Sequence, residues 1–259
     1  MEEQENLLTE TVIHYWGKTR EEEYYKQQGI RASHSLYTSP RGLSLFTRSW
    51  LPISTAPPRG ILCMVHGYGN DISWTFQSTA IFLAQMGFAC YAIDIEGHGR
   101  SQGLKAYVPN VDLVVQDCLS FFNFIKQDPE FHGLPSFLYD VLSKSIKVEE
   151  KKIIGVMNPM RYKGKPRLGT VLELLRVTDY LSQRLCDISI PFIVLHGSAD
   201  VVTDPNVSRA LYEEANSEDK TIKIYDGMMH SLLFGETDEN IEIVRGDILA
   251  WLNDRCQAN

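Results

Sequence analysis

The chain of 259 residues is short of positive charge, of long apolar runs and of patterned cysteine. Lys and Arg number 25 against 33 Asp and Glu, a net charge of -8. Such a surface offers no basic face to a nucleic-acid backbone and no electrostatic attraction to anionic lipid. The apolar runs are far shorter than the roughly 20 residues that cross a bilayer. Met1-Glu2-Glu3-Gln4-Glu5 is acidic with no apolar run behind it, so no secretory signal is expected there. The five cysteines (Cys63, Cys90, Cys118, Cys186, Cys256) are odd in number and lack metal-ligand spacing. Cys63 and Cys90 fall inside apolar runs, where small buried residues are expected. No His and Asp stand at metal-ligand spacing and no glycine loop has a phosphate-binding pattern, so no metal and no cofactor is expected. A reduced, cytoplasmic setting fits these readings.

What is present is the composition of an ordinary globular protein, 44% hydrophobic and 22% charged, long enough for one large α/β domain or two small ones. Residues 1–18 mix charge with a few apolar side chains and are expected to be loosely ordered. Arg20 to Gln28 reads as a short surface helix closed by Gly29. Ser33 to Thr38 and Leu43 to Trp50 read as strands around a Ser39-Pro40-Arg41-Gly42 turn. Ile61 to Val65 and Ala89 to Ile93 are continuously apolar, as strands covered on both faces must be. Helices are expected after each, over Ser73 to Met86 and Asp112 to Lys126. Phe137 to Tyr139 is a short third strand. Helices follow over Lys144 to Lys152 and Thr170 to Leu185, around a basic loop, Arg161 to Arg167, that reads equally as a solvated loop or a head-group contact. Phe192 to Leu195 is a buried strand, and Asp204-Pro205 caps a helix through Ala215. Thr221 to Tyr225 and Ile241 to Asn253 supply a last strand and helix. Strands alternating with helices imply a mostly parallel sheet with helices on both faces.

At His66-Gly67-Tyr68-Gly69, Gly97-His98-Gly99-Arg100-Ser101, Gly197-Ser198-Ala199-Asp200 and Met229-His230-Ser231 the chain resembles the monoacylglycerol lipase and caffeoylshikimate esterase group of α/β-hydrolases, close to its plant members. The resemblance implies one α/β-hydrolase domain, with residues 19–139 and 186–255 as the two parts of the core and 140–185 as a partial lid. It also implies serine-ester chemistry on a small acyl-ester substrate: a monoacylglycerol, a lysophospholipid or a phenolic ester. Peripheral contact with membranes is compatible with that class. By position, Asp200 is the triad acid, His230 the base, and the Tyr68 amide an oxyanion-hole donor. Asp204 competes with Asp200 but is better explained as a helix cap, and His66 and His98 are expected to be structural hydrogen-bonders.

The nucleophile is missing. The group places a Gly-x-Ser-x-Gly elbow directly after the strand that here is Phe137 to Tyr139. This chain instead reads Ser136-Phe-Leu-Tyr-Asp-Val-Leu-Ser-Lys-Ser145. The elbow, its helix, the next strand and the first part of the lid are absent between two matching flanks, as an omitted exon or a gene-model artefact would leave them. Gly99-Arg100-Ser101-Gln102-Gly103 matches the elbow literally, which makes Ser101 a remaining candidate. Its context is wrong, because Asp94 to Gly99 intervenes between strand and serine, whereas an elbow holds its serine at the strand's end. Ser143 and Ser145 lack flanking glycines, and Cys118 falls within a helix. The expectation is an α/β-hydrolase fold without one central strand–helix unit, carrying Asp200 and His230 but no nucleophile. The alternative is a non-catalytic protein that holds an acyl ligand or a protein partner.

Overall fold

The structure of the chain, a computed structural model, describes residues 14–141 and 146–256. Ser143 and Ser145, the start of the expected 144–152 helix and residues 1–13 lie outside the described residues. Within residues 14–18, His14 and Gly17 form a bridge, and the Trp16 ring stacks on Tyr24 with centroids 4.1 Å apart.

A helix α1 (Glu21–Gln27) leads into an antiparallel pair, β1 (Ile30–Thr38) and β2 (Ser44–Pro52). Alternating strands and helices follow: β3 (Ile61–His66), α2 (Phe76–Gln85), β4 (Ala89–Ile93), α3 (Val111–Lys126) and β5 (Ser136–Val141). Then come α4 (Glu149–Val156), α5 (Leu168–Ser182), β6 (Phe192–Gly197), α6 (Pro205–Glu214), β7 (Lys220–Tyr225) and α7 (Asp238–Cys256). Two side chains foreseen or suited as caps start helices: Asn110 accepts from the Leu113 amide at 3.1 Å, and Asp204 from the Asn206 amide at 2.9 Å.

β3 shows why its run had to be apolar throughout. Its side chains alternate between the two faces of the sheet, and each face is covered. Leu62 and Met64 pack with Ala80, Leu83 and Ala84 of α2 and with Val244 and Ile248 of α7. Ile61 and Cys63 pack on the other face with Val114, Cys118, Phe121 and Phe122 of α3. Cys63 and Cys90 are buried as expected, and burial pushes the Cys63 and Cys118 thiols up to about 12. Neither thiol is a nucleophile at neutral pH.

The strands form two sheets. One has the order β1-β2-β4-β3-β5, with β3 parallel to β4 and to β5; the other is the parallel pair β6-β7. Among the described residues β5 is thus the last strand of the first sheet, and β6 has a ladder partner only in β7. Their burial differs from that of β3 and β4 accordingly. β3 and β4 are almost wholly buried, whereas β6 is half-buried over Phe192 to Leu195 and Leu138 of β5 is 70% exposed.

The segment 154–173 is strapped over the loops that follow β3 and β4. Trp74 Nε1 donates to the Ile154 carbonyl at 2.6 Å, Asn158 Nδ2 to Asp71 at 2.7 Å, and the Tyr162 amide to the Gly69 carbonyl at 2.9 Å. At its far end the Val108 amide donates to Thr170 and the Val111 amide to Glu173.

Candidate active site

Two loops meet at the ends of β6 and β7. The first runs from Gly197 to Asp204, the second from Asp226 to Glu236. Their approach depends on Gly197: a Cβ there would stand 2.2 Å from the Met228 carbonyl oxygen, so any side chain would push the loops apart. With glycine in place, the Ala199 amide donates to that same carbonyl at 2.9 Å, and Ser198 Oγ bridges Asp226 and the Gly227 amide. The second loop is pinned from below by Glu236, fully buried, whose carboxylate accepts from the Met229 amide at 2.7 Å and from Asn240 at 3.0 Å.

This lacing brings Asp200 and His230 together, 30 residues apart in sequence, with His230 Nδ1 2.6 Å from Asp200 Oδ2. Side-chain exposure is only 2% for Asp200 and 5% for His230. Burial works against ionisation of Asp200. It is overcome by hydrogen bonds from His230, from the Val202 amide at 2.7 Å and from the Thr203 hydroxyl at 2.7 Å and amide at 3.2 Å. The carboxyl is held well below the ordinary carboxylate range. A carboxylate at Nδ1 fixes the tautomer in which Nε2 is the basic nitrogen, which is the acid–base relation of a hydrolytic triad.

Two members of the site were not singled out for a role from the sequence. His196 at the end of β6 places Nε2 3.0 Å from Asp200 Oδ2 and Nδ1 2.7 Å from Ser208 Oγ. Thr203 lies between, its hydroxyl 3.2 Å from His230 Nδ1. The only trace in the sequence is spacing, His196 four residues before Asp200 and Thr203 three after.

Asp200 and His230 line a cavity of about 440 Å³. Its walls are β5 (Phe137, Leu138, Tyr139) and β6 (Ile193, Val194, Leu195), and Ile248 and Trp251 of α7 also line it. Tyr68 is not among the lining residues. It sits in the loop after β3, its phenol donates to the Ala106 carbonyl at 3.0 Å, and its ring meets His98 edge-on at 5.4 Å.

Ser101 is also absent from that lining. Its hydroxyl donates to the Asp94 carbonyl at 2.5 Å and accepts from the Phe46 amide at 2.8 Å, so it ties the loop to β2. Around it, buried Asp94 accepts from the Ile72 and Arg100 amides at 2.8 and 2.9 Å. Burial first, then the neighbouring Asp71, raises the Asp94 carboxyl to about 7. Gly99 is required here, since a Cβ would stand 2.0 Å from Asp94 Oδ2. His66 and His98 are buried in the same knot and bond backbone: His66 Nε2 accepts from the Ile95 amide, and each Nδ1 meets a carbonyl at 2.9 Å. Burial and then His66 lower His98 to about 4. Asp204 is a cap, as its sequence predicts. Among the described residues no group of three or more His, Cys, Asp or Glu is placed to hold a metal ion, and no helix is long and apolar enough to cross a membrane.

The family described as serine aminopeptidase, S33, matches residues 56–139 and 143–238. Caffeoylshikimate esterase of Arabidopsis thaliana is 35% identical over an alignment of 306 positions, which covers 94% of this chain and 92% of that protein. Monoglyceride lipase of Homo sapiens is 26% identical, covering 83% of this chain and 88% of that one. Among solved structures, a soluble variant of monoglyceride lipase from Saccharomyces cerevisiae, in complex with a substrate analog, superposes with a TM-score of 0.75 at 17% identity. That superposition covers 87% of this chain and 96% of that one. The chain therefore belongs to the serine aminopeptidase S33 family, within its caffeoylshikimate esterase and monoglyceride lipase group, and has the α/β-hydrolase fold.

Proposed function

We propose that this chain is a member of an ester-hydrolase group that keeps the acid and base of the triad but lacks the serine-bearing unit, and so does not turn over esters. The observation that carries the reading is the Asp200–His230 pair, assembled at 2.6 Å on the wall of a cavity that lies between two sheets. Ser198 follows β6 directly but is absent from the cavity lining, its hydroxyl bonded to Asp226 and the Gly227 amide. Ser208 and Ser231 line the cavity, but Ser208 lies inside α6 bonded to His196, and Ser231 follows His230 directly in the same loop.

Two further observations support it. An alignment 306 positions long laid on a chain of 259 residues leaves at least 47 positions with no residue of this chain (306 − 259). A strand–helix–strand unit takes a minimum of roughly 30 residues, fewer than the unmatched positions. The family match also breaks between residues 139 and 143, at the end of β5. The relatives' names point to phenolic esters and monoacylglycerols as the substrate class of the intact site, with no cofactor in the acyl transfer.

The test is hydrolysis of p-nitrophenyl butyrate by the purified chain, beside His230→Ala. The reading expects both at the buffer rate, since loss of a serine nucleophile costs on the order of a millionfold in turnover. Hydrolysis that disappears in His230→Ala would overturn it. The apolar lining of the cavity favours a second reading: a protein that holds an acyl ligand or a partner without reacting with it. Native mass spectrometry that finds only a ligand-free monomer would count against that.

A further inference from the structure

The cavity beside Asp200 and His230 is bounded by the core itself. Leu62 of β3, Phe76 of α2, Phe137 of β5, Leu195 of β6 and Ile248 of α7 all line it, and among the described residues none of 146–185 does. It therefore lies among the packed elements and not beneath the segment that crosses the loops. Its volume, about 440 Å³, falls within the roughly 300–1,000 Å³ of sites that hold small molecules. Apolar walls of this kind favour an alkyl chain, because its entry removes apolar surface from water on both sides.

The polar end of the cavity selects the head group. His230 Nδ1 is engaged by Asp200 at 2.6 Å and by Thr203 at 3.2 Å, and among the described residues no group of the protein bonds Nε2. The side chain is 5% exposed, so this buried acceptor needs a donor from whatever fills the cavity. A fixed charge stands behind it. Asp200 accepts from His230, from the Val202 amide and from the Thr203 hydroxyl and amide, a set of bonds that favours the ionised carboxyl. A ligand carboxylate would meet that charge and find no proton on Nε2, and a buried charge without a partner is costly. An ether or ester oxygen would bring a lone pair to a lone pair. A hydroxyl is neutral and donates.

We propose that the cavity holds an uncharged single-chain lipid with a hydroxyl head, its alkyl chain lying against β5 and β6 and its hydroxyl donating to His230 Nε2. The inference rests on the reading that no serine of this chain engages that nitrogen, since the ligand's hydroxyl takes the place a nucleophile's would have. Binding requires no ester and no reaction, and it discriminates against fatty acids, the acyl products of ester hydrolysis.

The experiment titrates the purified chain calorimetrically with 1-dodecanol, with its methyl ether and with dodecanoate, at about pH 8, where an ordinary imidazole is neutral. The expected result is one 1-dodecanol per chain and a thermal midpoint that rises with its concentration. The ether and the dodecanoate are each expected to bind about tenfold or more weakly. Removing one methylene from the alcohol should weaken it about threefold to fourfold, as burial of the alkyl chain requires. His230→Ala is expected to erase the difference between alcohol and ether. Asp200→Asn is expected to narrow the difference between alcohol and dodecanoate. Each variant is read by comparing two ligands on the same protein, which a general loosening of the fold would not change.

A chain that melts cooperatively but takes up no 1-dodecanol overturns the inference. So does one that binds dodecanoate or the ether as tightly as the alcohol, or one that shows no cooperative melt with or without 1-dodecanol. None of these results touches the reading of a silent chain, because none of the three ligands carries an ester. That reading falls instead if the chain turns over p-nitrophenyl butyrate, which leaves the order of the three affinities as it was measured.

Discussion

Asp200 is the residue on which the site converges, since His230, Thr203 and the Val202 amide all donate to its carboxylate and His196 Nε2 lies 3.0 Å from it. Its depressed carboxyl has a stability consequence with a definite sign. A group held below its unfolded value of about 3.9 contributes stability above that pH and loses it as the pH falls. Asp94 has the opposite sign. Its carboxyl is raised to about 7, so its contribution is full below about pH 4 and is lost as the pH rises toward neutrality. Urea midpoints taken across this range are expected to show both limbs, with Asp200→Asn flattening the acid limb and Asp94→Asn the fall toward neutral pH. Unchanged limbs in both variants would mean that these carboxyls titrate normally. Gly197→Ala is expected to disturb the site by steric contact alone, because the new methyl would fall on the Met228 carbonyl. The His230 side-chain NMR signals should shift in it, while a substitution at exposed Gly133, where a Cβ meets nothing within 4 Å, leaves them in place. His196 and Thr203 escaped the sequence because their roles exist only once the two loops have met. Neither periodicity nor a motif marks them.

At the scale of elements, the apolar periodicity was legible and the ends were less so. β4 falls where its sequence places it, at Ala89–Ile93, because continuous apolar character has no other use in so short a run. β1 begins three residues earlier than expected, at Ile30, because Ile30, Arg31 and Ala32 pair with Pro52, Leu51 and Trp50 of β2. α4 begins at Glu149, not at Lys144. The Lys147 and Val148 amides both donate to the Gly235 carbonyl, at 2.9 and 3.1 Å, and that tertiary tie holds the chain extended until the helix can start. The Asp204 cap was readable from one dipeptide, and Asp204→Ala is expected to cost about 0.5–2 kcal/mol in urea unfolding. The two sheet edges give a sharper contrast. Leu83→Ala in the buried face of α2 is expected to cost about 2–5 kcal/mol, whereas Leu138→Ala, on a largely exposed side chain, should stay within about 0.5 kcal/mol of the parent. A large loss at Leu138 would mean that something covers β5 in the free chain.

For the molecule as a whole, the order and spacing of the motifs identified the fold, and the same order is the ground for proposing a gap, since no Gly-x-Ser-x-Gly follows Phe137 to Tyr139. What the sequence could not supply was the response of the two halves. They form a five-stranded and a two-stranded sheet, which both line an apolar cavity of about 440 Å³ with the bonded Asp200–His230 pair on its wall. Burial on either face of β3 explains how the larger sheet stands with β5 as its last strand, and the loop lacing around Gly197 explains why Asp200 and His230 meet. The central claim is that the catalytic partners are in place and the chain has no nucleophile of its own. Fluorophosphonate labelling of the purified chain, with its thermal melt and peptide mapping, tests this most directly. The account predicts a cooperative melt and no covalent adduct on any residue. An adduct on a serine of this chain, whether Ser101, Ser143, Ser145 or Ser231, that vanishes in His230→Ala would contradict it.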